Sequence, residues 1–386
     1  MSLDQRIDPD LPGCSKEADL ISLSNLVRCL SCHKPYPEQG VPYRCPDCGG
    51  LFDFADWPHF DNSQMDSRAT RMWRYAHVFG LPDEAPRISL GEGCTPLVWS
   101  RAFGREVAFK LEFMNPTGSF KDRGSAVLVS LLRSRGVVAA SEDSSGNAGA
   151  SFAAYASSAG LKAKVFVPAY ASGPKRSQIE AYGAEVVPIP GPRSNAAQAV
   201  LEAVEKGEVY ASHAYLPFTL PGFATIAYEL YQDLGQAPGA VVVPAGQGGL
   251  LLGIGRGFMG LQRSGLIDRI PRLVGVQARA CTPLWAEFHF GKKGLDQVTE
   301  GESLAEGVRI RNPLRSRAIL DLLKKTGGEL VAVEESDILP GRNALARLGF
   351  YVEPTSAIVW SAMEQFEGEL HDPVVVILTG SGLKSP

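Results

Sequence analysis

The sequence predicts an α/β fold of two doubly wound domains with mainly parallel sheets, led by a small cysteine-bearing unit. Three observations predict it. From about residue 105 onward, short apolar runs alternate with amphipathic stretches, the pattern of strands covered by helices on both faces. Three turns rich in Gly, Ser and Asn follow apolar runs, where ligands sit in such sheets. Four of the seven cysteines cluster between Cys29 and Cys48.

The bulk properties narrow the function. At 45% hydrophobic and 21% charged, the 386-residue chain has the composition of a soluble globular enzyme with a sizeable core. A net charge of -4 gives no electrostatic reason to expect a nucleic-acid or anionic-membrane partner. No apolar run reaches the length of a membrane span, and the N-terminus lacks the apolar stretch of a secretory signal. These features lead to an expectation of a cytoplasmic location.

Taken in order, residues 1–25 show no periodicity and read as a loose lead. Residues 26–55 hold Cys29-x2-Cys32 and Cys45-x2-Cys48, separated by 12 residues. Two such knuckles can close a tetrahedral four-thiolate site, and four thiolates leave no open position, so a zinc ion there is structural. His33 is a fallback ligand, and a disulfide-closed or degenerate ribbon is the alternative. With only Arg28, Lys34 and Arg44 nearby, the unit lacks the basic surface of a nucleic-acid reader. Cys14, Cys94 and Cys281 read as unrelated thiols. The aromatic residues Trp57, Trp73, Tyr75 and Phe79 suggest that 57–80 docks on the main body.

The main body begins with a strand over 107–111 and a helix over 118–133 that opens on Ser119 and Asp122, with Ser119 as a potential cap. Strands follow over 137–140, 163–167 and 185–189, with helices over 148–159, 174–182 and 195–205 between and after them. A second series runs through a helix over 223–234, a strand over 240–244, a helix over 248–262 and a strand over 273–277. Helices over 335–347 and 355–366 and a strand over 373–378 complete it.

The most informative stretch is Asn115-Pro116-Thr117-Gly118-Ser119-Phe120-Lys121-Asp122-Arg123-Gly124. Lys121 falls in the first turn of a helix, where the dipole opposes a cation and favours a neutral amine. A neutral, nucleophilic amine is what Schiff-base chemistry needs. Gly246-Gln247-Gly248-Gly249 follows one apolar strand and opens an apolar helix, so its backbone N–H groups form a nest for a phosphate. A dinucleotide fingerprint fails there, because the third glycine it wants is Leu251.

Ser-Phe-Lys-Asp-Arg-Gly resembles the pyridoxal 5'-phosphate (PLP) lysine motif of the fold-type-II, tryptophan synthase beta-like enzymes, and of threonine synthases in particular. Gly91-Glu92-Gly93-Cys94-Thr95-Pro96-Leu97 and Thr379-Gly380-Ser381-Gly382-Leu383-Lys384 resemble two further motifs of that family, and the likeness spans residues 26–386. The resemblance implies an internal aldimine on Lys121, with Phe120 beside it. It implies that Gly246, Gln247, Gly248, Gly249 and Leu250 hold the cofactor phosphate. Asn147 would meet the ring oxygen and Thr379 the ring nitrogen, with Ser381 as the alternative hydroxyl. Ser144, Ser145, Gly146 and Ala148 would receive the carboxylate of a small amino-acid substrate. It further implies a stabilising zinc ribbon over 26–55, a large PLP domain of 56–118 and 225–386, a small α/β domain of 119–224, and a homodimer.

The implied reaction is that of threonine synthase, O-phospho-L-homoserine and water to L-threonine and phosphate. Three positions depart from the family's phosphate ligands: Ala148 stands for a Thr, Leu250 for an Asn, and Thr219 for an Arg. Hydrogen bonds to charged groups contribute about 1.5–3 kcal/mol each, so these losses need replacement. Lys175, Arg176, His213 and Arg309 are candidates. Alternatives are β-elimination or β-replacement on another amino acid, as in a serine/threonine dehydratase or a cysteate-synthase-like enzyme, or an inactive zinc-ribbon binding protein.

Overall fold

The computed structural model describes residues 23–171 and 173–385. The expected lead over residues 1–25 falls largely outside the described residues, as does Cys14. The N-terminal unit contains α1 (Leu23–Leu26), β1 (Val27–Cys29) and β2 (Phe52–Phe54), with β1 and β2 antiparallel. The body continues through β3 (Leu97–Ala102), β4 (Arg105–Lys110), α2 (Lys121–Ser134), β5 (Ala139–Glu142), α3 (Asn147–Ser158), β6 (Lys162–Pro168), α4 (Pro174–Ala181), β7 (Glu185–Ile189) and α5 (Arg193–Glu205). Then come α6 (Leu220–Leu234), β8 (Ala240–Pro244), α7 (Gly249–Arg263), β9 (Arg272–Ala278), α8 (Pro283–Phe290), α9 (Ser316–Lys325), β10 (Glu329–Val333), α10 (Glu335–Arg347), α11 (Pro354–Gln365) and β11 (Val374–Ile377).

Two sheets organise the body. One has six strands in the order β10-β9-β8-β11-β4-β3, parallel except for β3, which pairs antiparallel with β4 at the edge. The other has three parallel strands, β5-β6-β7. The central strand β11, Val374-Val375-Val376-Ile377, shows why helices must cover both faces. Val375 and Ile377 join the core with α2, α6 and α7, while Val374 and Val376 join a second core with α10 and α11. All four are buried, and each contributes about 1.5–3 kcal/mol of burial.

Some elements differ from the sequence reading. Strand β5 lies two residues later than expected, because Val138 is exposed and Ser141, Glu142 and the following turn are buried instead. Edge strand β3, helices α8 and α9 and strand β10 add to the elements expected from the sequence. In β3 the exposed positions include both Val98 and Trp99, so no apolar/polar alternation marks it. Among the described residues, no helix is long and apolar enough to cross a membrane.

The cysteine unit is clamped to the body by charge. Arg256 of α7 makes a two-pronged pair with buried Asp53, at 2.7 and 2.8 Å. Arg315 donates to Phe52 O and Tyr215 O, at 2.9 and 2.8 Å, and to Ala214 O. Arg135, just past the end of α2, reaches Pro37 O and Gly40 O.

Candidate active site

Helix α2 starts at Lys121 with Phe120 at its N-cap and no side-chain capping bond. The expected cap, Ser119, does not serve: its Oγ is buried without a hydrogen-bond partner. Asp122 reaches back instead, accepting from Thr117 N at 2.7 Å and from the Thr117 hydroxyl at 2.6 Å. A carboxylate in the first helical turn also suits the dipole better than a serine hydroxyl does.

Arg123 pins the motif from below. It is fully buried and bonds Glu112 through Nε and Nη2, both at 2.7 Å, and Glu229 through Nη1 and Nη2, at 2.6 and 2.8 Å. Lys110 adds a 2.9 Å pair to Glu229. This closed network fixes the start of α2 and hence the aim of Lys121.

Lys121 Nζ lies 4.6 Å from the centre of the Phe120 ring and, among the described residues, has no hydrogen-bonded acceptor. Burial pushes its amine down to about 8, Glu142 and Glu353 oppose that shift, and Arg193 adds to it. The helix dipole acts in the same direction, but burial is the larger cause. Lys121, Glu142, Ala148, His213, Thr219 and Phe223 line one small pocket.

The three turns converge on this point. In the first, Gly146 N donates to Ser144 Oγ at 3.2 Å, and Asn147 opens α3. Gly149 must be glycine, because a Cβ there would sit 1.8 Å from Ser144 O. Asn147 is the first helical residue, with Gly146 as N-cap, and its amide donates to Glu353 at 2.8 and 3.0 Å. In the second turn, Gly248 caps α7 in the left-handed region at φ 75, and Gly249 faces Leu220 and Phe223 across ordinary contact distance. The first N–H groups of α7 therefore have no side-chain cap. Gln247 accepts from Leu314 N at 3.2 Å, and Leu250 is buried. In the third, Thr379 O accepts from Phe120 N at 3.0 Å and Gly380 bridges to Ser119. Ser381 Oγ caps Leu383 N, which leaves Thr379 as the uncommitted hydroxyl.

Of the four cations weighed as phosphate ligands, only His213 lines the pocket, held at 2.9 Å to Glu142. Lys175 pairs with Glu353 at 3.2 Å, and Arg176 pairs with Glu180 on its own helix. Arg309 Nε is buried without a partner, and Arg309 is absent from the pocket lining. Sequence reasoning does not single out Glu142 or Glu353. Glu142 ends a strand and Glu353 precedes a Pro that opens α11, and an acid at a strand end is the available signal.

Three buried polar atoms around Lys121 have no hydrogen-bond partner: Ser119 Oγ, Asn147 Oδ1 and Thr379 Oγ1. An unmet buried donor or acceptor costs about 1–3 kcal/mol, so a polar ligand is expected among them. A flat aldehyde with a phosphate arm fits this set. The amine is the covalent partner, the uncapped N-terminus of α7 suits the phosphate, and the orphaned hydroxyls of Ser119 and Thr379 suit the ring heteroatoms, while Asn147 has Nδ2 engaged by Glu353 and only the acceptor Oδ1 free.

Comparison with known proteins agrees. Residues 88–380 match the family described as pyridoxal-phosphate dependent enzyme. The chain is 34% identical to the threonine synthase of Methanocaldococcus jannaschii over 379 residues, covering 94% of this chain and 93% of that protein. It is 31% identical to that of Methanosarcina acetivorans, covering 93% and 92%. Among solved structures, a T.th. threonine deaminase superposes with a TM-score of 0.61 at 28% identity, over 74% of this chain and 92% of that one. Maize serine racemase shares the fold, with a TM-score of 0.65 at 21% identity over 75% and 88%. With its lysine motif, glycine turn and terminal threonine in one place, the chain belongs to the pyridoxal-phosphate dependent enzyme family as a threonine synthase-like member.

Proposed function

We propose that this PLP-dependent lyase converts O-phospho-L-homoserine and water to L-threonine and phosphate, with Lys121 as the lysine that carries the cofactor. The observation that supports it most is the half-buried Lys121 side chain, whose amine desolvation lowers to about 8 at the N-terminus of α2. When bound, PLP supplies an electron sink for a C–H bond beside the amino group. Lys121 Nζ then takes up and returns protons at successive substrate carbons. In this reading the backbone of Gly246, Gln247, Gly248, Gly249 and Leu250 holds the phosphate arm, Thr379 Oγ1 meets the ring nitrogen, and Asn147 meets the ring oxygen. Phe120 packs beside the amine. The turn of Ser144, Ser145, Gly146 and Ala148 takes the substrate carboxylate. Residues 119–224 act as the small domain against 56–118 and 225–386.

The same reading gives the N-terminal unit a structural zinc. Cys29, Cys32, Cys45 and Cys48 place their Sγ atoms within 4.8 Å of one another, with Cys29–Cys48 at 3.5 Å and Cys32–Cys45 at 3.6 Å. A tetrahedral ion with Zn–S of about 2.3 Å spaces its sulfurs by about 3.8 Å. His33 lies outside this cluster.

A second reading, loss of water or another β-substituent from a hydroxy amino acid, is favoured by the pocket walls. Ala148 and Thr219 line the pocket beside Lys121 and bring no positive charge to a substrate phosphate. A substrate screen on PLP-loaded protein separates the two. Phosphate release from O-phosphohomoserine supports the first, and keto-acid release from L-serine or L-threonine without it supports the second.

A further inference from the structure

Glu142 and His213 form a dyad that the roles above leave unused. Glu142 is the last residue of β5, at the carboxyl end of the strand, and is 1% exposed. His213 Nδ1 lies 2.9 Å from Glu142 Oε1, and His213 N donates to Glu142 Oε2 at 3.2 Å. The carboxylate thus grips one residue twice, through ring and backbone. Both side chains line the Lys121 pocket together with Ala148 and Thr219.

The dyad is anchored from outside. Ser141 pairs with Tyr210, and Arg315 holds Ala214 O and Tyr215 O, so the 210–215 segment has little freedom to swing. The charged and titratable groups around the dyad are Lys121, Asp143 and Arg193, with Tyr210 bonded to Asp143 at 2.8 Å and Arg193 3.7 Å from Asp143.

We propose that His213, oriented by Glu142, is an acid–base group that moves a proton to and from the water added or removed at the substrate β-carbon. In hydration, the water oxygen bonds to the β-carbon of a Cα=Cβ unsaturated substrate, and the water proton passes to His213 Nε2 as the Nδ1 proton passes to Glu142 Oε1, so the ring stays neutral. The π electron pair moves toward the α-carbon, which is later protonated, so the net change is addition of H and OH across the double bond. Dehydration runs the same transfers backward. A carboxylate holding Nδ1–H sets the tautomer that leaves Nε2 as acceptor.

Protonation states suit the task. Burial pushes Glu142 up to about 7, against the backbone N–H groups of His213 and Asp143. Burial and the nearby Lys121 push His213 down to about 3, so its imidazole is neutral at neutral pH. The proton taken from water therefore comes to rest on Glu142 through the neutral His213 ring, and a carboxyl near 7 is matched to neutral conditions. This role rests on the lyase reading and serves threonine formation and hydroxy-amino-acid dehydration alike, since both move water at the β-carbon.

Two measurements test it. In the cofactor-free protein, NMR of the six histidines, with His213→Asn used to assign the ring, reads the dyad without any substrate. The expected result is a His213 ring that stays neutral from about pH 5 to 9 while its Nδ1 resonance follows a transition near 7 that Glu142→Gln removes. A ring that protonates like an exposed histidine, or one indifferent to Glu142→Gln, overturns the proposal whatever the reaction is. In PLP-loaded protein, with whichever substrate the screen identifies, His213→Asn is expected to lower kcat by about 10²–10⁴-fold with cofactor absorbance retained. Glu142→Gln is expected to remove the acid limb of the kcat profile near pH 7. Wild-type kcat and an unchanged limb in both variants would also overturn it. Failure of every substrate in the screen counts against the lyase reading alone, and the NMR result still decides the dyad.

Discussion

Asn147 Nδ2 donates to both carboxylate oxygens of Glu353, at 2.8 and 3.0 Å. That contact ties α3, which follows the three-stranded sheet, to α11, which covers the six-stranded one. Glu353 also acts electrostatically on the Lys121 amine, and Lys175 adds a 3.2 Å pair to the same carboxylate. Glu353→Ala is expected to lower unfolding stability by about 1.5–3 kcal/mol, the range for hydrogen bonds to a charged group. Denaturant titration of the cofactor-free protein checks this, and unchanged stability would show the tie to be incidental.

Thr379 gives a prediction of opposite signs. Its Oγ1 is buried and unpartnered. Thr379→Val keeps the shape and removes the unmet hydroxyl, so the cofactor-free protein is expected to be as stable as wild type or more so. Cofactor affinity is expected to fall by about 2–10-fold, as one hydrogen bond contributes about 0.5–1.5 kcal/mol. Thermal melts with and without PLP measure both.

The Arg123 cluster sets an acid limit. Burial raises the Glu229 carboxyl, but Arg123 and Lys110 outweigh it and hold the group at about 2. A depressed carboxylate contributes stability above its unfolded value, and that stability is lost as pH falls from about 4.5 toward 2. Glu229→Gln is expected to cost about 3–5 kcal/mol at neutral pH, because it leaves Arg123 short of a buried partner. It is also expected to flatten the loss between pH 4.5 and about 2, which urea titrations across that range read directly.

For the cysteine unit, the expected result is one zinc per chain by metal analysis. Free zinc about a thousandfold above its Kd stabilises a folded site by about 4 kcal/mol, so a chelator is expected to lower Tm and added zinc to restore it. Cys45→Ser is expected to abolish that response. A Tm indifferent to chelation would leave the four cysteines as thiols.

The sequence makes much of this legible, for physical reasons that differ from residue to residue. The placement of Lys121 at the start of α2 and of the Gly246–Gly249 turn before α7 can be read because glycine-bearing turns separate the apolar runs from the helices that follow. Helix α7 and strand β11 can be read because burial imposes continuous apolar runs on them. Helix α8 cannot, since Pro283 to Phe290 is short and apolar on nearly every side, with Glu287 its one acid, so no stripe stands out. In α9 the stripe at Ile319, Leu320, Leu322 and Leu323 is a usable signal that the sequence reading passes over. The partners of Arg123 lie 11 and 106 residues away, and Asn147 meets Glu353 across 206, so no local pattern announces them. Ser119 reads as a cap from its residue type and position, whereas Asp122 turns back onto Thr117, five residues earlier, and leaves the Ser119 hydroxyl unpartnered.

The most direct test of the account is borohydride reduction of the PLP-loaded protein, followed by peptide mass mapping. The account predicts a single stable adduct on the peptide that carries Lys121, with loss of the cofactor absorbance band, and neither in Lys121→Ala. An adduct on another lysine, or a cofactor band that survives in Lys121→Ala, would contradict it.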